Sequence, residues 1–141
     1  MTTREASVGD ATAIAHLITQ LGYPTTAEQM HARLMSLADD SNSKAFVSEV
    51  DKNAVGMIGV RVDRGFEYDG IQGRIVALVV DESIRGTGIG RSLVEAAECW
   101  ARERSAHKMM VNTANHRTRT HDFYRSLGYE TTGLRFVKPL R

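Results

Sequence analysis

The sequence predicts an α/β (α+β) protein: a mixed, mostly antiparallel central sheet of about seven strands flanked by about four helices. Two patterns carry that prediction. Apolar residues recur at helical spacing in four segments, and β-branched or alternating runs mark seven others. Their order, β-α-α-β-β-β-α-β-α-β-β, places helices on both faces of one sheet. Of the 141 residues, 42% are hydrophobic and 25% charged, enough for one core without metal or disulfide support. No repeat or Pro/Gly-rich linker interrupts the chain, so residues 1–141 are expected to form a single domain.

The elements follow in order. "TREAS" reads as a first strand. Asp10 is a plausible N-cap for a helix carrying Ala11, Ile14, Leu17, Ile18 and Leu21, and Gly22-Tyr23-Pro24 stops it. Thr25 with Glu28 three residues on has capping-box spacing, and Met30, Leu34 and Leu37 give the second helix an apolar face. "KAFVSEV" and "AVGMIGVRV" form a hairpin through "DKN". Residues 63–73 carry three glycines and no helical period, which predicts a loop. "RIVALVV" is apolar on both faces, as an inner strand is. In the next helix Ile89, Leu93, Ala97, Trp100 and Ala101 share a core face, with Arg91–Glu95 and Glu98–Arg102 at i,i+4 outside. "KMMVNT" is a strand, "RTRTHDFYRSL" a helix closed by Gly128, and "YETT" with "GLRFVKPL" a final hairpin.

Composition narrows the function. A formal net charge of +1, with both signs interspersed, gives no basic stripe for nucleic acid. Cys99 is the single cysteine, so neither an intrachain disulfide nor a cysteine metal cluster is available. His116 and His121 are five apart, off the i,i+4 spacing of paired helical ligands, and no metal is expected. The amino terminus lacks the apolar core of a secretory signal, and no run approaches a membrane span. A cytoplasmic protein with no membrane partner is expected.

The densest signal is "SIRGTGIGRSL", residues 83–93. Gly86, Gly88 and Gly90 are spaced G-x-G-x-G, which is not the G-x-G-x-x-G of a dinucleotide fold, and no acidic residue follows about 20 positions on. A Walker loop needs Gly-Lys-Ser/Thr where this chain has Gly90-Arg91-Ser92. A ligand-free turn would explain one glycine but not three. Small residues at a helix start expose successive N–H groups where the helix dipole favours an anion. Arg85 and Arg91 add charge, and a pyrophosphate fits such a cradle.

Arg85-x-x-Gly88-x-Gly90 after "LVVDESI" resembles the Arg/Gln-x-x-Gly-x-Gly/Ala motif of the GCN5-related N-acetyltransferases (GNAT). The segment His121-x-Phe123-Tyr124 through Leu127-Gly128-Tyr129 resembles that family's "A-H-x-F-Y-x-x-x-G-F/Y" pattern, and the likeness covers essentially the whole chain. It implies the acyl-CoA N-acyltransferase fold and a reaction in which acetyl-CoA acetylates a primary amine. It also implies that residues 85–91 (Arg85, Gly86, Thr87, Gly88, Ile89, Gly90 and Arg91) hold the pyrophosphate, and that Val79 and Val80 pair with the pantetheine arm. A strand bulge near Leu78 would free an N–H for the thioester oxygen, and Tyr124 would protonate the departing thiolate. Asn115, or else Asn112, would contact the cofactor arm.

One part of the family pattern is missing. Where many relatives carry a carboxylate base, this chain has Val76 and Ala77. Glu67, Tyr68 and Asp69 in the preceding loop, or an ordered water, are the substitutes. His121 reads as a packing residue, Cys99 as an inert semi-buried thiol and Trp100 as core. By resemblance the acceptor pocket is built from "LGYPTT", residues 63–73 and the region of Gly133. Asp63, Glu67 and Asp69 there suit a cationic amine, whereas Arg117, Arg119 and Arg135 suit an anionic group on it. "GMIGV" and "LRFVKPL" resemble the small acetyltransferases of aminoalkylphosphonates, which points to a small zwitterionic amine. A protein amino terminus or lysine is the alternative acceptor, and a non-catalytic acyl-CoA sensor or subunit is the alternative function. The edge of the final hairpin suggests a homodimer.

Overall fold

The computed structural model describes residues 1–67, 69–112, 118–133 and 136–140. Its elements are β1 (Thr2–Glu5), α1 (Ala11–Leu21), α2 (Ala27–Ala38), β2 (Ser43–Val50), β3 (Asn53–Arg64), β4 (Ile71–Val80), α3 (Ile89–Glu103), β5 (Ala106–Val111) and α4 (Thr118–Ser126). Up to α4 this is the order the sequence predicts. The chain forms two compact units, Met1–Met110 and Val111–Arg141, and each is described by itself.

In the first unit five strands lie in the order β1-β2-β3-β4-β5, with the pairs β1–β2, β2–β3 and β3–β4 antiparallel. Asp51 and Lys52, both at positive φ, turn β2 into β3, as a two-residue hairpin that follows strand twist requires. Pairing of Val47 with Met57 and of Met57 with Val79 aligns three side chains on one face. There they meet Ile14 and Leu17 of α1 and Met30 and Leu34 of α2. The opposite face receives α3. An added Cβ at Gly56 would stand 3.0 Å from Ile89 and 3.1 Å from Leu93, and one at Gly73 would stand 3.2 Å from Ala101. Glycine at these two positions lets the helix approach the strands.

Several local expectations shift. β3 runs on to Arg64 and β4 begins at Ile71, so the loop is 65–70 rather than 63–73. The capping box belongs to Thr26 and Gln29, whose side chains take each other's backbone N–H at 3.1 and 2.9 Å. Thr25 is occupied instead: its N–H reaches Thr19 Oγ1 and its hydroxyl reaches the Tyr23 carbonyl. Asp10 begins α1 without capping it. Its carboxylate accepts two hydrogen bonds from Arg4, at 2.8 and 2.9 Å, and one from Ser7 N–H. Those bonds, the Arg4 contacts foremost, hold the Asp10 pKa below the ordinary carboxylate value against its desolvation. The i,i+4 ion pairs of α3 form as expected, at 3.5 and 3.7 Å, and Trp100 is core. Cys99, one residue off the buried stripe, is exposed rather than semi-buried.

In the second unit α4 leads to Gly128, whose φ of +93° ends it. The expected final hairpin is absent: none of the described residues from 129 to 140 is in a strand. Phe136, Val137 and Leu140 are all exposed, so no apolar burial offsets the entropy of ordering a two-stranded ribbon. The sheet therefore has five strands among the described residues where about seven were expected.

Candidate active site

The first unit carries the glycine segment at the carboxyl end of β4. Leu78 pairs with Ile58 and Val79 with Met57, and Val79 is buried in the core. Asp81 then starts a short 3₁₀ turn. Its carboxylate accepts the N–H and hydroxyl of Ser83 at 2.9 and 2.7 Å, and these bonds hold its pKa below the usual range. The Glu82 N–H donates to Gln20 Oε1 of α1 at 3.1 Å. Arg85 folds back so that its Nε–H meets the Val80 carbonyl at 3.3 Å, and Thr87 donates to the Ile84 carbonyl at 2.9 Å. The approach to the loop is thus tied down on both sides.

Gly86 and Gly88 both adopt left-handed backbone, with φ of +83° and +85°. An added Cβ at either would meet nothing within 4 Å. Open space beside these two left-handed glycines, one residue apart, means that packing does not require them; the backbone conformation and access to it do. Gly88 is the N-cap of α3, so the first free N–H groups of a 15-residue helix open onto exposed loop. Ile89 is buried over Gly56 and fixes that helix end on the sheet. Gly56 went unnoticed in the sequence, where it looks like an ordinary strand glycine. Arg91 is partly neutralised by Glu95.

The expected bulge lies two residues before Leu78. Gly59 pairs with Ala77 and Val60 with Ile75, which leaves Val76 extra on β4. An added Cβ at Gly59 would stand 3.1 Å from Val76 Cγ2, so the missing side chain makes room for two residues opposite one. The bulge reverses the facing of everything before it. Ile75 and Gly73 turn toward α3, while Arg74 and Gln72 turn to the α1/α2 side with Arg61 and Asp63. Val76, in the middle of an inner strand, is 53% exposed. Of the candidate bases, Glu67 and Asp69 are exposed, and Tyr68 lies outside the described residues; Asp63, expected to attract a cationic amine, is half-buried.

The second unit holds Tyr124. Its ring is buried between Phe123 and Tyr129, edge-on to both at centroid distances of 5.2 and 5.5 Å. Among the described residues its hydroxyl has no hydrogen-bond partner. Burial pushes its pKa up to about 12, so the phenol keeps its proton throughout the neutral range. His121 is half-buried, and Asn112 is exposed at the end of β5. Asn115, His116, Arg117 and Arg135 lie outside the described residues, as does the side chain of Arg119.

Comparison with known proteins agrees with this geometry. The model of the acetyltransferase (GNAT) family matches residues 12–129. The aminoalkylphosphonate N-acetyltransferase of Salmonella typhimurium is 29% identical over 142 residues, covering 97% of this chain and 90% of that protein. The aminoglycoside N(6')-acetyltransferase type 1 of Stenotrophomonas maltophilia is 26% identical over 136 residues, covering 93% and 87%. Among solved structures, the aminoglycoside N-acetyltransferase AAC(6')-Iy in complex with CoA superposes with a TM-score of 0.88 at 18% identity, covering 99% of this chain and 94% of that one. At that identity the likeness speaks for the fold.

Proposed function

The chain belongs to the acetyltransferase (GNAT) family, and from that premise we propose that it transfers the acetyl group of acetyl-CoA to the primary amine of a small molecule, by direct attack in a ternary complex. The observation that carries this reading is the pair of left-handed, unobstructed glycines at the start of α3. They present free N–H groups to an anion the size of a pyrophosphate. Arg85 and Arg91 flank them, with Thr87, Ile89 and Gly90 completing the cradle. Both curated relatives are named for N-acetylation of amines, and that supports the acceptor class.

In the reaction the amine nitrogen attacks the thioester carbon. A C–N bond forms, the C–S bond breaks, and the sulfur leaves with the electron pair. Backbone N–H at Leu78 polarises the carbonyl, while Val79 and Val80 hold the pantetheine arm as an added strand would. Tyr124 gives its proton to the departing sulfur and regains one from solvent. Asn115 steadies the cofactor arm. With Val76 and Ala77 in place of a carboxylate, the amine reacts from its neutral fraction and releases its proton to solvent. The rate should therefore climb with pH as the acceptor's ammonium loses its proton. It should show no alkaline fall through Tyr124 in the neutral and mildly alkaline range, since burial raises that phenol to about 12 and keeps it protonated there.

Residues 1–141 act as one catalytic domain in this reading, which the family match across both compact units supports. Exposed Phe136, Val137 and Leu140 support a homodimer that covers them. Scattering mass at tens of micromolar protein checks that, and a strict monomer would remove it.

Thiol release from acetyl-CoA across a panel of amines tests the activity. Tyr124→Phe should lower kcat by about 10²–10⁴-fold with little change in acetyl-CoA affinity. Single-turnover rates separate that loss from slow product release. Turnover within about twofold of wild type would remove Tyr124 as the proton donor. Cofactor binding without thiol release to any amine would favour an acyl-CoA sensor instead.

A further inference from the structure

We propose that the acceptor carries an anionic oxyacid group as well as its amine, and that Arg74 is the residue that selects it. The inference deepens the acetyl-transfer reading and rests on it for the position of the thioester. With the cofactor on residues 79–91, the acetyl group is presented at Leu78. The face of β4 left to an acceptor is then the stretch before the bulge. Val76, the extra residue of the bulge, lies open there in mid-strand, an apolar surface that an acceptor could cover.

The charges on that face are unequal. Arg61 and Arg74 are directly opposed across β3 and β4, and like charges in that relation repel. Arg61 is neutralised: its guanidinium meets Asp40 at 2.8 Å and also bonds Ser43. Arg74 is half-buried and has no ion pair or hydrogen bond among the described residues. A partly desolvated cation without a counter-ion is costly unless an anion arrives. Gln72, on the same face, is only 7% exposed, and its Oε1 is buried without a donor. An unpaired buried acceptor of that kind is uncommon in a folded protein. A ligand that brings an oxyanion to Arg74 and an O–H or N–H to Gln72 satisfies both.

Spacing agrees. Arg74 is four residues from Leu78, about 13 Å of strand, which the bulge shortens. An extended arginine and an amine two or three carbons from its anionic group together cover that span. Asp63 shares the face but pairs with Gln72, one position farther from the thioester. The first charge that an amine's substituent meets is Arg74. Phosphonate and carboxylate share the required chemistry.

The test compares three acceptors of one length, 2-aminoethylphosphonate, β-alanine and ethanolamine, with a larger polycationic aminoglycoside beside them. Wild-type kcat/KM should favour the two anionic amines over ethanolamine by at least about tenfold, and the better of them identifies the oxyacid. Arg74→Gln should reduce that ratio about tenfold, through KM rather than kcat, and Arg74→Lys should retain part of it. Calorimetry of the same ligands on CoA-saturated protein supplies a readout that needs no turnover. Equal use of charged and uncharged amines, preference for the polycation, or a ratio unaltered in Arg74→Gln would overturn the proposal and leave acetyl transfer standing. Arg74-dependent binding of anionic amines with no acetylation of any amine would sustain the anion site and sink acetyl transfer. If Arg74→Gln fails to fold, wild-type selectivity still decides whether the acceptor is anionic, and Arg74→Lys, with a ratio below that of wild type, decides whether Arg74 selects it.

Discussion

The two ends of β4 present opposite kinds of site. At its carboxyl end the chain leaves the sheet through a loop of small residues that offers backbone N–H groups, and side chains contribute little. Before the bulge, the strand offers side chains, Arg74 and Gln72, from regular backbone. Backbone recognition suits a ligand part that never varies, because N–H groups cannot be changed by substitution. Side-chain recognition suits the part that differs from one acceptor to another. In the reading proposed above, the cofactor therefore takes the loop and the acceptor takes the strand face.

The largest expected effect comes from removing the bulge that separates the two ends. Deleting Val76 would restore unbroken alternation and turn Arg74 and Gln72 toward α3, where Ile75 and Gly73 now pack. Burying an unpaired guanidinium there is more costly than the fold's whole stability margin. Loss of soluble, cooperatively folding protein is expected in expression and thermal-unfolding trials. A deletion protein with wild-type Tm would show that the bulge does not set the facing.

Gly88→Val sharpens the comparison from the loop side. A β-branched residue at φ +85° strains the backbone by about 1–2 kcal/mol and fills space where phosphate oxygens would lie. Acetyl-CoA affinity by calorimetry should fall about a hundredfold while the circular dichroism spectrum persists. Gly88→Ala carries most of the strain with less bulk, so its smaller affinity loss would separate obstruction from strain. Unchanged affinity in a folded Gly88→Val protein would refute the cradle.

The smallest effect lies away from both ends, at the Arg4–Asp10 pair that anchors β1 to the start of α1. Arg4→Met should cost about 1–2 kcal/mol, the lower part of the range for charged hydrogen bonds because Arg4 is partly exposed. The Asp10 pKa is lowered on folding. Its contribution is therefore present above about pH 4, the unfolded value, and is lost as pH falls through the depressed folded value. Acid titrations of Tm should fall more steeply for wild type than for Arg4→Met below pH 4. Parallel curves would show that the pair does not contribute.

Much of this was legible in the chain itself. The element order through α4, the αL stops at Gly22 and Gly128, the ion pairs of α3 and the glycine-rich turn before it all rest on residues close in sequence. Local spacing determines them, because a glycine at positive φ or a charge four residues along a helix needs no distant partner. The family resemblance rested on the same short-range motifs, and the match over residues 12–129 bears it out.

Only the tertiary structure decided which way β4 faces, whether the last apolar residues form strands, and which charges are satisfied. "RIVALVV" is apolar at every position after Arg74, so alternation could not reveal the slip at Val76; the cause is Gly59, on another strand. Thr25 and Thr26 both fit the spacing of a capping box, and the end of α1 took Thr25. Arg61 and Arg74 look alike in sequence. They differ because Asp40, at the end of α2, reaches one and not the other. Pairing of this kind is set by proximity in space, which folding creates between segments that the linear chain keeps far apart.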